Sequence, residues 1–159
     1  MPERQTISKA KRDLHKGRAP TTAAGEFVRE EIEHVREGKH GARSTKQAIA
    51  IGLSKARRAG VPLKPQKNGK NRRGEERDLA AGRHPPKTSR RRSRAVERAL
   101  RREGHGAGSH RSLVRQAKRS AARRGHAARS AAARKGARTK GPALRHAAAR
   151  KAARSRAHR

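Results

Sequence analysis

The chain has no cysteine, tryptophan or tyrosine, and a single phenylalanine. Without cysteine there are no disulfides, thiol nucleophiles or cysteine-based zinc sites. One aromatic side chain cannot furnish the stacking platforms on which single-stranded nucleic acid is read by RRM and OB folds. Large apolar residues are scarce as well: Leu, Ile, Val and Phe number 17 of 159, about 11%. A highly charged chain below roughly 20% is expected to be largely disordered. Alanine supplies 30 of the 48 nominally hydrophobic residues, and it favours helix while burying little area. No apolar run reaches the length of a signal core or a membrane span, so the chain is expected to stay in the cytoplasm, and no membrane partner is expected.

What is abundant is positive charge. Lys and Arg number 46 against 12 acidic residues, a formal charge of +34. The surplus is uneven: residues 1–60 hold 14 basic and 7 acidic side chains, residues 61–159 hold 32 and 5. Such a density predicts a polyanionic partner, because Lys and Arg release the counterions condensed on nucleic acid. Arginine outnumbers lysine 32 to 14, which favours forked phosphate contacts.

The apolar residues cluster. Seven of the 17 lie between Phe27 and Leu53, and two helices are expected there. The first runs from about Ala23 to Glu37, with Thr22 as N-cap and Gly38 beyond its end. Ala24, Phe27, Val28, Ile32 and Val35 share one face of it, and Glu26, Glu30, Glu33 and Glu37 line the other. The second follows the capping box Ser44-Thr45-Lys46-Gln47 and stops at Gly60 and Pro62. Ala48, Ile49, Gly52, Leu53, Ala56 and Ala59 form its stripe, whose small members let another helix come close. The expected fold is therefore all-α: a helical hairpin, helix-turn-helix-like, over residues 22–61.

Around it, residues 1–21 read as a basic lead-in with one or two helical turns, and 62–88 as a flexible linker. Residues 89–104 read as a short basic helix, and 105–159 as an Ala/Arg-rich tail, largely disordered or helical without packing. Units such as "AARRG", "AAARKG" and "AAARKAARSR" recur irregularly in that tail, which has no acidic residue from Gly104 onward.

Residues 24–61, "AGEFVREEIEHVREGKHGARSTKQAIAIGLSKARRAGV", resemble the shared segment of a family of small basic bacterial proteins of uncharacterised function, commonly labelled DNA-binding. The tail is similar in composition to bacterial linker-histone-like proteins. The resemblance implies a bacterial nucleoid setting and carries no catalytic residues with it.

The function expected is non-catalytic, mainly sequence-nonspecific DNA binding of a nucleoid-associated, histone-like kind. The alternatives are RNA binding, or a helical interaction or dimerisation module with a polyanion-binding tail. Contacts are expected from Arg43, Lys46, Gln47, Ser54, Arg57 and Arg58 on the second hairpin helix. Further contacts are expected from Arg90, Arg91, Arg92, Arg94, Arg123, Arg124, Arg134, Lys135, Arg150, Lys151 and Arg154 beyond it. A protein partner is conceivable at Glu26, Glu30, Glu33 and Glu37, with the tail folding back on that stripe when free. His34, His40, His105 and His110 show no ligand spacing, so no metal is expected, and no cofactor.

Overall fold

A computed structural model describes residues 2–65, 71–84 and 89–157. The described residues are helical or loop, with no strand. The helices are α1 (Arg4–His15), α2 (Pro20–Arg36), α3 (Thr45–Arg58), α4 (Arg72–Arg83), α5 (Arg90–Arg101), α6 (His110–Arg123) and α7 (Gly125–Ala157), with a single 3-10 turn at Gly106–Gly108. The chain divides into two compact units, Met1–Gln116 and Ala117–Arg159.

The expected pair α2 and α3 forms the centre of the first unit, but it is not a free-standing hairpin. Phe27, Ala23 and Ala24 of α2 are buried against Ala56 of α3 and against Val61 and Leu63, just beyond its end. Ala10 closes that cluster from α1, with Ile7 and Leu14 packed at its margin. The presumed lead-in is therefore a packed helix of 12 residues. A second cluster joins Val35, Ala42 and Ala48 to Ala107 of the 3-10 turn. Two bonds fix that turn: Arg36 Nε donates to Gly108 O at 2.7 Å, and Thr45 Oγ1 to Ala107 O at 2.7 Å.

Four boundaries differ from the sequence reading, each for a local reason. α2 begins at Pro20, with Ala19 as its N-cap, so Thr22 lies inside the helix; proline is preorganised for a first helical turn, where its missing N–H is no loss. The stretch read as linker contains α4, packed on α3; its positions 66–70 and 85–88 lie outside the described residues. Within residues 106–108, read as part of the tail, Ala107 and Gly108 are buried in the first unit, Ala107 in its second cluster. The rest of that tail is helical, in α6 and α7, rather than disordered. Among the described residues neither helix has a buried one, so its alanine and arginine supply helix propensity without a core.

The capping box forms with one change. Ser44 Oγ accepts from Gln47 N at 3.2 Å, while Gln47 Oε1 accepts from Arg43 N at 2.9 Å, one residue before the N-cap.

Gly52 sets the spacing of α2 and α3. A Cβ placed there would stand 2.7 Å from Val28 Cα and 3.0 Å from Phe27 O, both backbone atoms of α2 that cannot swing aside. Gly52→Ala should therefore lower stability by about 1–3 kcal/mol in urea unfolding, the usual cost of overpacking. Gly25→Ala in α2 meets nothing within 4 Å and should be neutral, or stabilising by up to about 1 kcal/mol.

Candidate nucleic-acid interface

The outer face of α3 carries the six polar residues expected to meet a groove, and the structure separates them. Arg43 and Lys46 are exposed, while Gln47 is half-buried and engaged in the cap. The other three are held by α4. Ser54 Oγ donates to Asp78 Oδ2 at 2.6 Å, and Arg58 Nε donates to Asp78 Oδ1 at 3.0 Å while its Nη2 reaches Ser54 Oγ at 2.7 Å. Arg57 is 6% exposed, its Nη2 3.3 Å from Glu75 Oε1. A buried guanidinium cannot touch a phosphate, so Arg57 leaves the set of surface contacts. The signal for this lay in the sequence: Glu75, Glu76 and Asp78 are the only acidic residues between Glu37 and Glu97. Three carboxylates within four residues are a natural counterpart for a basic helix face.

The remaining expected contacts are open to solvent. Arg90, Arg91, Arg92 and Arg94 are exposed along α5, in the first unit. Its C-terminal end is anchored there by bonds from Gly41 N to Leu100 O at 2.9 Å and Ala42 N to Gly104 O at 3.0 Å. In the second unit Arg123, Arg124, Arg134, Lys135, Arg150, Lys151 and Arg154 are all exposed. Among the described residues no ion pair involves a side chain of α6 or α7, whereas α3 alone has three, through Lys55, Arg57 and Arg58.

The acidic stripe is not the open face that its helical spacing predicts. Glu30 is 4% exposed and accepts from Glu3 N at 3.1 Å, because the start of α1 lies over it. Glu37 pairs with Lys39 at 3.0 Å, leaving Glu33 exposed and Glu26 half-buried. His34 Nε2 donates to Glu3 Oε1 at 3.2 Å. That bond, followed by the charge of Lys39, holds the Glu3 carboxyl below its ordinary range. A lowered carboxyl stabilises the fold above the ordinary carboxylate range, and its contribution is lost as pH falls through the lowered value. Lys39 is shifted upward, first by its bond to Glu37.

Glu31, on the apolar side of α2, is the residue that helical patterning passed over. It is fully buried, with Lys55 Nζ 2.6 Å from Oε2 and His40 Nε2 3.4 Å from Oε1. His40 Nδ1 donates to Gly41 O at 3.1 Å. One donor atom from each of Glu31, His34 and His40 falls within 4.8 Å of the others, so folding assembles a potential ligand trio that the sequence spacing did not signal. Lys55 already meets the carboxylate charge, and a tetrahedral zinc site with bonds near 2.0–2.1 Å needs donors about 3.3 Å apart. The arrangement is read more directly as an ion pair joining α2 to α3, with His40 buttressing it.

Residues 4–68 match the model of DUF6496, a family of unknown function. The match covers α1 to α3, and the exposed basic helices lie beyond it. Searches among curated proteins and solved structures give no match. The segment thus fits an uncharacterised family of small proteins, as the resemblance of residues 24–61 implied, and the family's description carries no DNA-binding label.

The Glu31–Lys55 pair makes an asymmetric prediction. Lys55→Met strands a fully buried carboxylate and should cost more, about 3 kcal/mol, than Glu31→Gln, which leaves an ammonium able to reach water. The double variant should recover part of the loss. Urea unfolding of the three variants measures the cycle.

Proposed function

We propose that this chain is a non-catalytic, mainly sequence-nonspecific DNA-binding protein of nucleoid-associated, histone-like character. Its affinity comes from contacts of Arg and Lys with phosphates. One observation carries the reading. From Gly104 onward the chain has 17 basic side chains and no acidic one, and the described residues of α6 and α7 present theirs to solvent without ion pairs. Carboxylates engage cations on α3 and α4, so charge is compensated locally there. An exposed, uncompensated array of cations on helices suits a polyanion, whose condensed counterions it would displace.

Duplex DNA is favoured over single-stranded nucleic acid. Phe27 is 0% exposed, and with no tyrosine or tryptophan in the chain no such ring is free to stack on unpaired bases. The reading assigns no catalysis, cofactor or resident metal. It draws on Arg43, Lys46 and the arginines of α5 in the first unit, and on α6 and α7 for most of the charge. Arg57 plays no part in it, and Ser54 and Arg58 serve the α3–α4 contact. No helix among the described residues is long and apolar enough to cross a membrane.

Truncation tests the reading. The cut belongs after Gly108, since Ala107 and Gly108 are buried in the first unit. Removing 109–159 takes away 17 of the 46 basic groups. Duplex binding should then weaken alike across unrelated sequences, and the slope of log affinity against log salt should become shallower by up to about 0.9 per lost phosphate contact. An unchanged slope would show that these helices do not touch the backbone.

A further inference from the structure

The long helix α7 is a duplication. Residues 125–140, "GHAARSAAARKGARTK", and 141–156, "GPALRHAAARKAARSR", are identical at 10 of 16 positions. The correspondence extends to conformation and bonding. Each unit opens on a glycine with positive φ, +71° at Gly125 and +66° at Gly141. Gly141 breaks the helix, and Pro142 starts the next one. The first arginine of each unit donates from Nε to the carbonyl of its opening glycine, Arg129 to Gly125 O and Arg145 to Gly141 O, both at 3.2 Å. Near each end a hydroxyl donates four residues back to a lysine carbonyl, Thr139 to Lys135 O at 2.9 Å and Ser155 to Lys151 O at 3.0 Å. Two segments that share residues, breaks and side-chain bonds are two copies of one module.

Within each module the cations occupy two sides. At about 100° per residue, Arg134, Lys135 and Arg138 lie about 140°, 240° and 180° around the axis from Arg129. Arg150, Lys151 and Arg154 bear the same relation to Arg145. Alanine dominates the remaining positions, keeping the rod thin. An α-helix with side chains is about 10–12 Å across, and the major groove of B-DNA is about 12 Å wide. A module laid along that groove directs one set of cations at each flanking phosphate strand. Sixteen residues rise about 24 Å, the length of about seven base-pair steps. A straight rod of that length departs from a groove that turns once in about 34–36 Å, so a break after each module is what continued tracking requires.

We propose that α7 comprises two equivalent duplex-binding modules, 125–140 and 141–156, each seated in a major groove of DNA with phosphate contacts on both edges. This rests on the DNA-binding reading above and specifies its geometry. The A-form duplex of RNA, with its deep and narrow major groove, should accept such a helix poorly.

The test uses the full-length chain with deletions of 125–140 or 141–156, and the paired variants Arg129→Ala with Arg145→Ala, or Arg138→Ala with Arg154→Ala. Alanine preserves helix propensity. Binding to a mixed-sequence 30-base-pair DNA is followed across a salt series. The two deletions should reduce the salt slope equally, and each paired variant should reduce it by up to about 1.8, two contacts at about 0.9 each. A matched RNA duplex should bind at least tenfold more weakly. Unequal deletions would overturn the equivalence of the modules. A silent pair on one side would overturn contact on both edges, and equal affinity for duplex RNA would overturn seating in the groove. Failure of the unmodified chain to bind DNA at all would instead remove the proposed function itself.

Discussion

At Gly52 the backbone of α2 occupies the space that a side chain on α3 would need. The rest of the first unit depends on that close approach. With few large apolar residues, burial must come from many small contacts made at short range, because a methyl group removes little area from water unless its surroundings are tight. Phe27 is the one large aromatic filler, and it is surrounded chiefly by alanines of three helices, with Val61 and Leu63. A core of this kind closes only if helix backbones nearly touch, and glycine and alanine are the residues that permit it.

Polar bonds complete what apolar area cannot. Arg36 and Thr45 bond to carbonyls of the 3-10 turn, Asp78 accepts from both Ser54 and Arg58, and Lys55 holds the buried Glu31. These contacts join segments far apart in sequence, up to 72 residues for Arg36 and Gly108. A buried ion pair is a poor source of net stability compared with a hydrophobic replacement, yet losing one partner is costly. Such a pair therefore discriminates between the native packing and its alternatives, a useful property where the apolar surface is too sparse to do so.

The sequence was most legible where residues repeat at helical spacing. The stripe of α3, the cap at Ser44 and the stops before Gly38 and Gly60 all follow from local pattern. It was least legible where an element is defined by its neighbours. Taken alone, α1 and α4 read as charged segments with few large apolar residues; α1 becomes a core element through Ala10, with Ile7 and Leu14 packed beside it, and α4 through its carboxylates against α3. Ala107 carries no sequence signal, because a lone alanine among glycines looks like linker until the gap beside Val35 and Ala48 is known. Glu30 failed for a related reason: a helical wheel treats a helix as having one buried side, whereas α2 is covered by α1 as well as by α3. Glu31 lies within the apolar arc, but its buried partner Lys55 is set by how α3 packs and not by spacing along α2. The interface residues divide on the same ground. Arg57 is buried and Arg58, though exposed, is engaged by Asp78 of a helix the pattern did not show, while among the described residues the arginines of α6 and α7 are exposed without ion pairs.

The division of charge then becomes a consequence of packing. Where helices meet, a cation left unpaired at the contact would lose hydration without compensation, so basic residues at contacts are matched by carboxylates, as at Asp78 and Glu75. Where no helix packs, nothing requires that match, and α7 dispenses with acidic residues altogether. Alanine is the residue that allows both arrangements. In the first unit its small size brings backbones together; in α7 the same small size keeps an uncovered helix slender while its propensity keeps the backbone helical. A helix that carries only alanine between its cations can meet a groove without exposing large apolar side chains that would need a core, and under the proposed function that is why a residue poor at building cores makes up so much of the chain.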